Sequence, residues 1–272
     1  MTEVLQRSFL KWAGGKYNAL PQIFKHMPRE GHCLVEPFIG SATVALNTNF
    51  KHYILNDLNP DIINLYKYVV ADVERFIKAL SPYFSGAFHN EKDYYRLRDE
   101  FNATNCTWKR SLLFVYLNRH GYNGLARYNK SGGFNVPVGG YKTIRFPVDE
   151  LRFFAKKMAH AEFHCGPFDA LYFRRKKGTV IYCDPPYLEL SKTASFSGYT
   201  SKGFPDSEHK SIDSLSKKWS KQGGRVYVSN HRVPVIEKLY PSSVGFVDFP
   251  VNRSISQKGK MRTPAMETLL FY

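Results

Sequence analysis

The chain has no long hydrophobic run. No stretch of its 272 residues approaches the roughly 20 consecutive apolar residues of a membrane-spanning helix. The segment from Met1 to Lys11 also lacks an apolar stretch like that of a signal peptide. These absences argue against a membrane partner and lead us to expect a cytoplasmic protein. Hydrophobic residues still make up 43% of the chain, which suffices for a packed core, so disorder is not expected.

Cysteine is scarce and scattered. The four residues Cys33, Cys106, Cys165 and Cys183 include no pair with C-x-x-C spacing. This pattern argues against a disulfide framework and against a zinc site, so we expect no metal. We predict that all four are buried free thiols.

Acidic residues are absent from the middle of the chain. Between Phe101 and Val148 there is no Asp or Glu, whereas seven Lys or Arg occur among nine aromatic side chains. The formal charge of the whole chain is +16. A solvated face normally mixes charges of both signs, although a basic soluble surface is an alternative. Basic residues interleaved with aromatic ones favour a nucleic-acid partner, because cations bind phosphates and rings stack on bases.

Glycine is also sparse where a dinucleotide-binding turn would need it. The predicted strand 32–36 is followed by a turn that contains Phe38 and a single glycine, Gly40, then by a helix at about 41–47 and a strand at 53–56. Asp57, seventeen residues after Gly40, can accept hydrogen bonds from both hydroxyls of a ribose. Without the three glycines that approach a pyrophosphate, the unit favours S-adenosylmethionine over NAD. An ordinary strand-to-helix turn is the alternative.

The segment 9–17, FLKWAGGKY, places two glycines, two cations and an indole close together. We interpret it as a grip for the carboxylate of methionine, with Lys16 as the cation and Trp12 as an apolar wall. A glycine-rich turn before a helix at 17–24 fits the same residues.

A β-branched strand around Val180 runs directly into the sequence Asp184-Pro185-Pro186-Tyr187. We expect a buried parallel strand, so Asp184 would emerge at its carboxyl end, where open α/β sheets bind ligands. The prolines have no N–H, so the Asp184 carboxylate and the Pro185 carbonyl can both accept from one amino group, while Tyr187 offers a ring for stacking. A stiff turn without chemistry is the alternative.

These acceptors suit methyl transfer to a planar base. The amine of adenine is a poor nucleophile because its lone pair is delocalised into the ring. Two acceptors on its protons would favour tetrahedral geometry at nitrogen, which could then attack a sulfonium methyl group. Because the nucleophile is on the substrate, catalysis needs orientation and proton acceptors rather than a covalent enzyme intermediate.

The order of elements predicts an α/β fold with a basic, mainly helical insertion, and the turns at Gly40 and Asp184 favour a Rossmann-like S-adenosylmethionine-dependent methyltransferase fold. We expect catalytic parts at 1–59 and 148–272, interrupted by a recognition domain at 60–147. The predicted helices of the insertion lie at 61–70, 72–80, 91–101 and 108–118. The later predicted elements are helices at 149–160 and 206–221, a strand at 225–229, and an antiparallel edge hairpin at 246–251 and 267–272.

Taken together, the motifs resemble the Dam-type DNA adenine methyltransferases of bacteria and their phages, and the match covers nearly the whole chain. The motifs that occur in the family's order are FLKWAGGKY at 9–17, EPFIG at 36–40, NDLN at 56–59, LNRHGYNGL at 117–125, FNVP at 134–137 and DPPY at 184–187. The resemblance implies methyl transfer from S-adenosylmethionine to the N6 amine of adenine in duplex DNA, usually within GATC. It implies a host that is a bacterium or a phage-infected cell, and nothing indicates an obligate protein partner.

The resemblance also implies roles for single residues. The cofactor contacts are Trp12, Lys16, Asp57, Phe168 and Asp184. The catalytic turn consists of Asp184, Pro185 and Tyr187. The matches to the family's DNA contacts are Lys11, Tyr122, Asn123, Leu125, Arg127 and Pro137. Arg127 would read guanine, and Tyr122 would insert where the adenine leaves the stack. Further candidate DNA contacts are Arg119, Lys130, Lys142 and Ser191.

Two positions depart from the family's pattern. Ala42 stands where many relatives have a second glycine, and Gly140 stands where some carry Arg. Two rival functions also remain: an RNA base or protein-amide methyltransferase with the same turn, and a non-catalytic DNA-binding protein. His231 at a strand end is predicted to be a hydrogen-bonded polar residue rather than a general base. The basic segment 253–262 fits either a DNA contact or solvated charge, and the polar segment 192–204 fits a loop that closes on substrate.

Overall fold

The computed structural model describes residues 4–173, 177–188, 204–252 and 265–272. Within them, seven strands form one sheet. The strands are β1 (Glu30–Glu36), β2 (Asn49–Asp57), β3 (Ala161–Cys165), β4 (Thr179–Cys183), β5 (Arg225–His231), β6 (Gly245–Val251) and β7 (Ala265–Phe271). The predicted Ser191, nearly all of the segment 192–204 and the segment 253–262 lie outside the described residues.

The strand order is β3-β2-β1-β4-β5-β7-β6. Strands β1 to β5 pair in parallel, whereas β7 is antiparallel to both β5 and β6. The first five strands therefore have the Rossmann order, in which the chain reverses direction across the sheet between β1 and β4. This arrangement confirms the predicted α/β class and the antiparallel pair at the end of the chain, with β7 lying inside the sheet and β6 at its edge.

Both faces of the sheet are covered. Alternate residues of β4 belong to two different apolar clusters, with Val180 and Tyr182 in one and Ile181 and Cys183 in the other. All five residues of β4 are buried. A continuous β-branched and apolar strand is the pattern expected when a parallel strand has helices on both sides.

The helices largely follow the predicted bounds. They are α1 (Leu20–Ile23), α2 (Thr43–Leu46), α3 (Pro60–Ala71), α4 (Val73–Leu80), α5 (Glu91–Ala103), α6 (Thr107–His120), α7 (Val148–Lys157), α8 (Asp206–Lys221) and α9 (Ile236–Leu239). Short 3-10 turns occur at Lys16–Asn18, Ser81–Phe84, Tyr122–Gly124 and Phe168–Ala170. The start of α3 is fixed as predicted, because the side chain of Asn59 accepts from the backbone N–H of Asp61 and Pro60 occupies the first turn.

Several expectations were wrong. The strand β3 was not predicted, because the edge position leaves only partial burial and no apolar alternation. The predicted helix at 17–24 is a 3-10 turn followed by the four-residue α1. Cys33 and Cys183 are buried free thiols, but Cys106 and Cys165 are exposed. Cys106 precedes α6 and Cys165 ends the edge strand β3, and neither position is covered by a neighbouring element.

The segment 60–147 contributes α3 to α6 and a following loop. Its apolar residues belong to the same cluster as one face of the sheet, for example through the ring contacts of Tyr66 with Phe9 at 5.8 Å and with Phe163 of β3 at 6.0 Å. In the described part of the chain, no helix has both the length and the apolar character needed to cross a membrane. The same residues contain no group of three or more His, Cys, Asp or Glu that could hold a metal ion.

Candidate active site

Three carboxylates gather at the carboxyl edge of the parallel strands. Glu36 ends β1, Asp57 ends β2, and Asp184 directly follows β4. Because β1 lies between β2 and β4, these groups flank the point at which the strand order reverses. This is the place where open α/β sheets form their binding crevice.

Asp184 is held in an ion pair. The Lys16 Nζ lies 3.1 Å from Asp184 Oδ1, and the Lys16 side chain is only 5% exposed. Burial raises the pKa of Asp184 to about 6, Lys16 opposes that rise, and the negative charge of Glu267 adds to it. At neutral pH the group is therefore mainly a carboxylate, which can only accept hydrogen bonds.

Lys16 reaches this position from the glycine-rich turn. The backbone N–H of Gly15 donates to the carbonyl of Trp12 at 3.1 Å, and Gly14 has a φ of +75° that favours glycine. The Lys16 ammonium donates to the Gly14 carbonyl and lies 4.5 Å from the centroid of the Tyr187 ring. The segment that we predicted to bind the methionine carboxylate therefore places Lys16 beside the Asp184 turn.

Tyr187 is fixed from two further sides. Its hydroxyl donates to Glu267 Oε2 at 3.0 Å, and the His231 ring approaches it edge-on with centroids 4.6 Å apart. His231 Nδ1 is in turn 2.7 Å from the Leu188 carbonyl. This contact agrees with the prediction that His231 is a hydrogen-bonded polar residue at a strand end.

Asp57 and Gly40 are directly bonded. Asp57 Oδ2 accepts from the Gly40 N–H at 3.0 Å, and Asp57 Oδ1 accepts from the Asn59 N–H at 2.9 Å. Burial raises the pKa of Asp57, while these backbone bonds lower it. Gly40 has a φ of +46°, and an added Cβ would lie 2.8 Å from Trp12 Nε1. The turn therefore needs glycine here, because the Trp12 indole lies against it.

The residues predicted to touch DNA form a second group, which we call the recognition surface: Lys11, Arg119, Tyr122, Asn123, Leu125, Arg127 and Pro137. Asn118, fully buried at the end of α6, fastens the first of them to the loop. Its side chain accepts from the Lys11 N–H at 2.9 Å and donates to the carbonyls of Lys11 and Gly124 at 2.8 and 2.9 Å. Since Trp12 and Lys16 follow Lys11 within five residues, one short segment joins both groups.

The loop that carries Tyr122 is sharply turned. Asn123 and Gly124 have φ values of +54° and +63°, and the Tyr122 N–H donates to the Pro137 carbonyl at 2.8 Å. Tyr122 is 43% exposed. Leu125, the next residue after this turn, is partly buried. The geometry leaves the Tyr122 side chain accessible to a partner.

The guanidinium groups of Arg127 and Arg119 are both partly used in hydrogen bonds within the protein. Arg127 Nε donates to Asn135 Oδ1 at 2.8 Å and one terminal nitrogen donates to the Asn135 carbonyl at 3.1 Å. Among the described residues the other N–H groups of that guanidinium have no hydrogen-bond partner, so they are available to a ligand. Arg119 donates to the Arg145 carbonyl at 3.1 Å, and its pKa is lowered by burial and by the charge of Arg145.

Comparison with known proteins agrees with this geometry. The profile of the D12 class N6 adenine-specific DNA methyltransferases matches residues 12–262. The chain is 41% identical over 268 residues to a DNA adenine methylase of Vibrio cholerae, which covers 98% of the chain and 96% of the relative. DNA adenine methylases of Salmonella typhi and Escherichia coli K12 are 42% and 41% identical over 266 residues, each covering 98% of the chain and 95% of the relative.

The chain belongs to the D12 class family. It is an adenine-specific DNA methyltransferase, and its methyl donor is S-adenosylmethionine. The residues present fit this cofactor. The rings of Phe38 and Phe168 lie 5.1 Å apart as an aromatic wall suited to an adenine ring, and Asp57, Gly40 and Lys16 surround the reversal point.

The site also contains residues that were not predicted from the sequence as functional. Glu36 is 2% exposed, its pKa is raised well above its ordinary value by burial and by Asp184, and its Oε1 has no hydrogen-bond partner among the described residues. Phe204 joins the rings of Phe38 and Phe168, with centroids 6.0 and 6.2 Å away. Glu36 lies within the motif EPFIG and Phe204 ends the segment 192–204 that was predicted to close on substrate, but Glu267 had no local signal.

Proposed function

We propose that this enzyme methylates the N6 amine of adenine within GATC in duplex DNA, by direct transfer to a base that has left the stack. One observation carries the proposal: Lys16 holds the Asp184 carboxylate 3.1 Å away while its ammonium lies over the Tyr187 ring. A proton acceptor and a stacking surface therefore share one turn. A DNA substrate also implies a location in the cytoplasm of a bacterium or of a phage-infected cell.

In this reaction the enzyme orients an amine that is already on the substrate. The Asp184 carboxylate and the Pro185 carbonyl accept hydrogen bonds from the two N–H groups of the amine, and Tyr187 stacks on the purine. The Asp184 carboxylate takes up the one proton that the nitrogen loses on methylation. Bound S-adenosylmethionine supplies an electrophilic sulfonium methyl group. Trp12, Lys16, Phe38, Gly40, Asp57 and Phe168 would hold that cofactor. In this arrangement, binding energy orients the methyl donor and the amine, and no covalent enzyme intermediate is needed.

The recognition surface would select the site. All of it except Lys11 lies in a target-recognition domain at 60–147, between catalytic parts at 1–59 and 148–272. Arg127 would pair with O6 and N7 of guanine, since two terminal N–H groups on one side of its guanidinium suit a bidentate contact. Tyr122 would fill the gap left by the flipped adenine. Extrusion costs roughly a few kcal/mol, which contacts of Lys11, Arg119, Lys130 and Lys142 with phosphate would offset.

The decisive experiment is methylation of mixed-sequence duplex DNA by the purified enzyme, read by sequencing at single-base resolution. We expect N6-methyladenine confined to GATC. Methylated adenine at another motif would overturn the specificity and leave the chemistry standing. Transfer of labelled methyl to RNA in preference to duplex DNA would overturn the proposed substrate.

Base flipping needs its own measurement. We would replace the target adenine in a GATC duplex by 2-aminopurine, whose fluorescence rises when it leaves the stack. An increase on enzyme binding, absent for a duplex labelled outside the site, is expected. Unchanged fluorescence at the target position would contradict extrusion of the base.

A further inference from the structure

The hydroxyl of Tyr187 has two acidic neighbours. It donates to Glu267 Oε2 at 3.0 Å, and the Tyr187 ring lies 4.5 Å from the Lys16 ammonium that pairs with Asp184 Oδ1 at 3.1 Å. A phenolic hydroxyl has a single proton to donate. Whichever carboxylate receives that proton has one acceptor site fewer for another ligand.

Glu267 comes from the last strand of the sheet. In the antiparallel pair of β5 and β7, His231 and Glu267 are direct partners, so their side chains leave the same face of the sheet. Both contact Tyr187, one through its ring and one through its carboxylate. Glu267 is only 8% exposed, and a carboxylate in that position requires a partner.

We infer that Glu267 is a positioning residue that accepts the hydrogen bond of the Tyr187 hydroxyl. Asp184 is thereby left able to accept a hydrogen bond from the amine of the substrate. The inference rests on the proposed role of the Asp184 turn. Without the Glu267 acceptor, the Tyr187 hydroxyl would turn its proton to Asp184 and compete with the adenine amine. The contact also fixes the ring plane on which the purine stacks.

The charge of Glu267 provides a second signature. Among the described residues, the charged or titratable groups that interact with Asp184 are Lys16, Glu36, Tyr182, Cys183, Tyr187 and Glu267. Because Glu267 raises the pKa of Asp184, its neutralisation must lower that pKa. The acidic limb of the rate against pH, which we expect near pH 6 in the natural enzyme, would then move to lower pH.

The test compares single-turnover rates at saturating DNA and cofactor for Glu267→Met, Glu267→Gln and the double variant Glu267→Met/Tyr187→Phe. Glu267→Met removes the acceptor, and we expect a loss of about tenfold. Glu267→Gln keeps a carbonyl acceptor and should retain the rate within about threefold. In the double variant the competing hydroxyl is gone, so the rate should recover to well above that of Glu267→Met.

Several outcomes would overturn the inference: an undiminished rate in Glu267→Met, an equal loss in Glu267→Gln, or a double variant no faster than Glu267→Met. An acidic limb that stays in place in Glu267→Gln would also count against it. Melting temperatures check that each variant is folded. The control is Asp248→Asn. Asp248 lies on the neighbouring strand β6 and pairs with Arg232, so its replacement removes a carboxylate but should keep the natural rate and pH profile.

Failure of the proposed function is a separate result. If the natural enzyme transferred methyl to RNA, the same variants would be compared on RNA, and the role of Glu267 would stand or fall on its own. If the natural enzyme methylated duplex DNA and the three variants behaved alike, only the inference about Glu267 would be lost.

Discussion

The carboxyl edge of the sheet and the recognition surface differ in both charge and surroundings. At the sheet edge the key groups are carboxylates, and burial raises the pKa of Asp57 and Asp184. On the recognition surface the charged groups are cations on or beside a loop, and burial lowers the pKa of Lys11 to about 8. The sheet edge is therefore suited to accept protons, and the recognition surface is suited to meet an anion.

The two regions also differ in how they are held in place. Strand pairing directly fixes where Glu36, Asp57 and Asp184 lie along the strand direction, since each ends or follows a parallel strand. The loop of the recognition surface belongs to none of these strands, and it is held by side-chain bonds as well as by backbone bonds such as that of Tyr122 to Pro137. Tyr128 in that loop donates to Asp61 at 2.7 Å, and Arg110 makes two bonds of 2.7 and 2.8 Å to the same carboxylate. Chemistry on strands and recognition on a loop should thus respond differently to substitution.

Asp184→Ala should have the largest effect on catalysis. In the proposed mechanism it removes the proton acceptor at the reacting nitrogen, so we expect the single-turnover rate to fall by about 10²- to 10³-fold. Because Asp184 is not part of the recognition surface, the affinity for duplex DNA should stay within about twofold, a change smaller than the loss of one hydrogen bond. Rapid-quench assays give the rate, and titration of labelled DNA gives the affinity. Near-normal turnover would remove Asp184 from the mechanism.

Gly124→Ala should break the connection between the two regions. Gly124 has a φ of +63°, and an added Cβ would lie 2.2 Å from Lys11 Cβ, so both backbone strain and overlap oppose alanine. We expect a loss of about 3 kcal/mol in the free energy of unfolding, measured with urea, together with weaker DNA binding.

Gly132→Ala is the matched control for that substitution. Gly132 has a φ of +80°, but nothing lies within 4 Å of an added Cβ. Only the backbone strain should remain, at about 1 kcal/mol. Equal losses of unfolding free energy in the two variants would show that overlap of the added Cβ with Lys11 contributes nothing.

Arg127→Ala should reduce discrimination rather than rate. If Arg127 pairs with guanine, its loss should cost about 1–3 kcal/mol in the preference for GATC over a site with that guanine replaced. Lys130→Ala in the same loop is the control. An exposed phosphate contact should weaken binding to all sequences alike and lower the slope of log affinity against log salt by about one. A uniform loss for Arg127→Ala as well would reassign it to the phosphate backbone.

Sequence reasoning succeeded where function and local structure share one segment. The β-branched run before Asp184 predicted both the strand and the turn, and Asn59-Pro60 predicted the start of α3. It failed where a contact joins distant segments. The bond between Tyr187 and Glu267 spans 80 positions, and the clamp of Asn118 on Lys11 spans 107, so no local pattern announces either. Edge strand β3 was missed for a related reason, because its burial depends on what its neighbours cover.

Ala42→Gly should have the smallest effect, although this position departs from the family's pattern. Ala42 has a φ of +58°, which costs an L-residue about 1–2 kcal/mol. Glycine would remove that strain, but it would lose a fully buried methyl group worth about 0.8 kcal/mol and add about 0.5–1 kcal/mol of chain entropy to the unfolded state. The terms nearly cancel, so we expect the free energy of unfolding to change by less than about 1 kcal/mol. Ala42→Val, whose branched side chain tolerates this backbone poorly, should cost clearly more. A large gain in stability for Ala42→Gly in urea unfolding would show that the cofactor turn is strained more than its dihedral angles indicate.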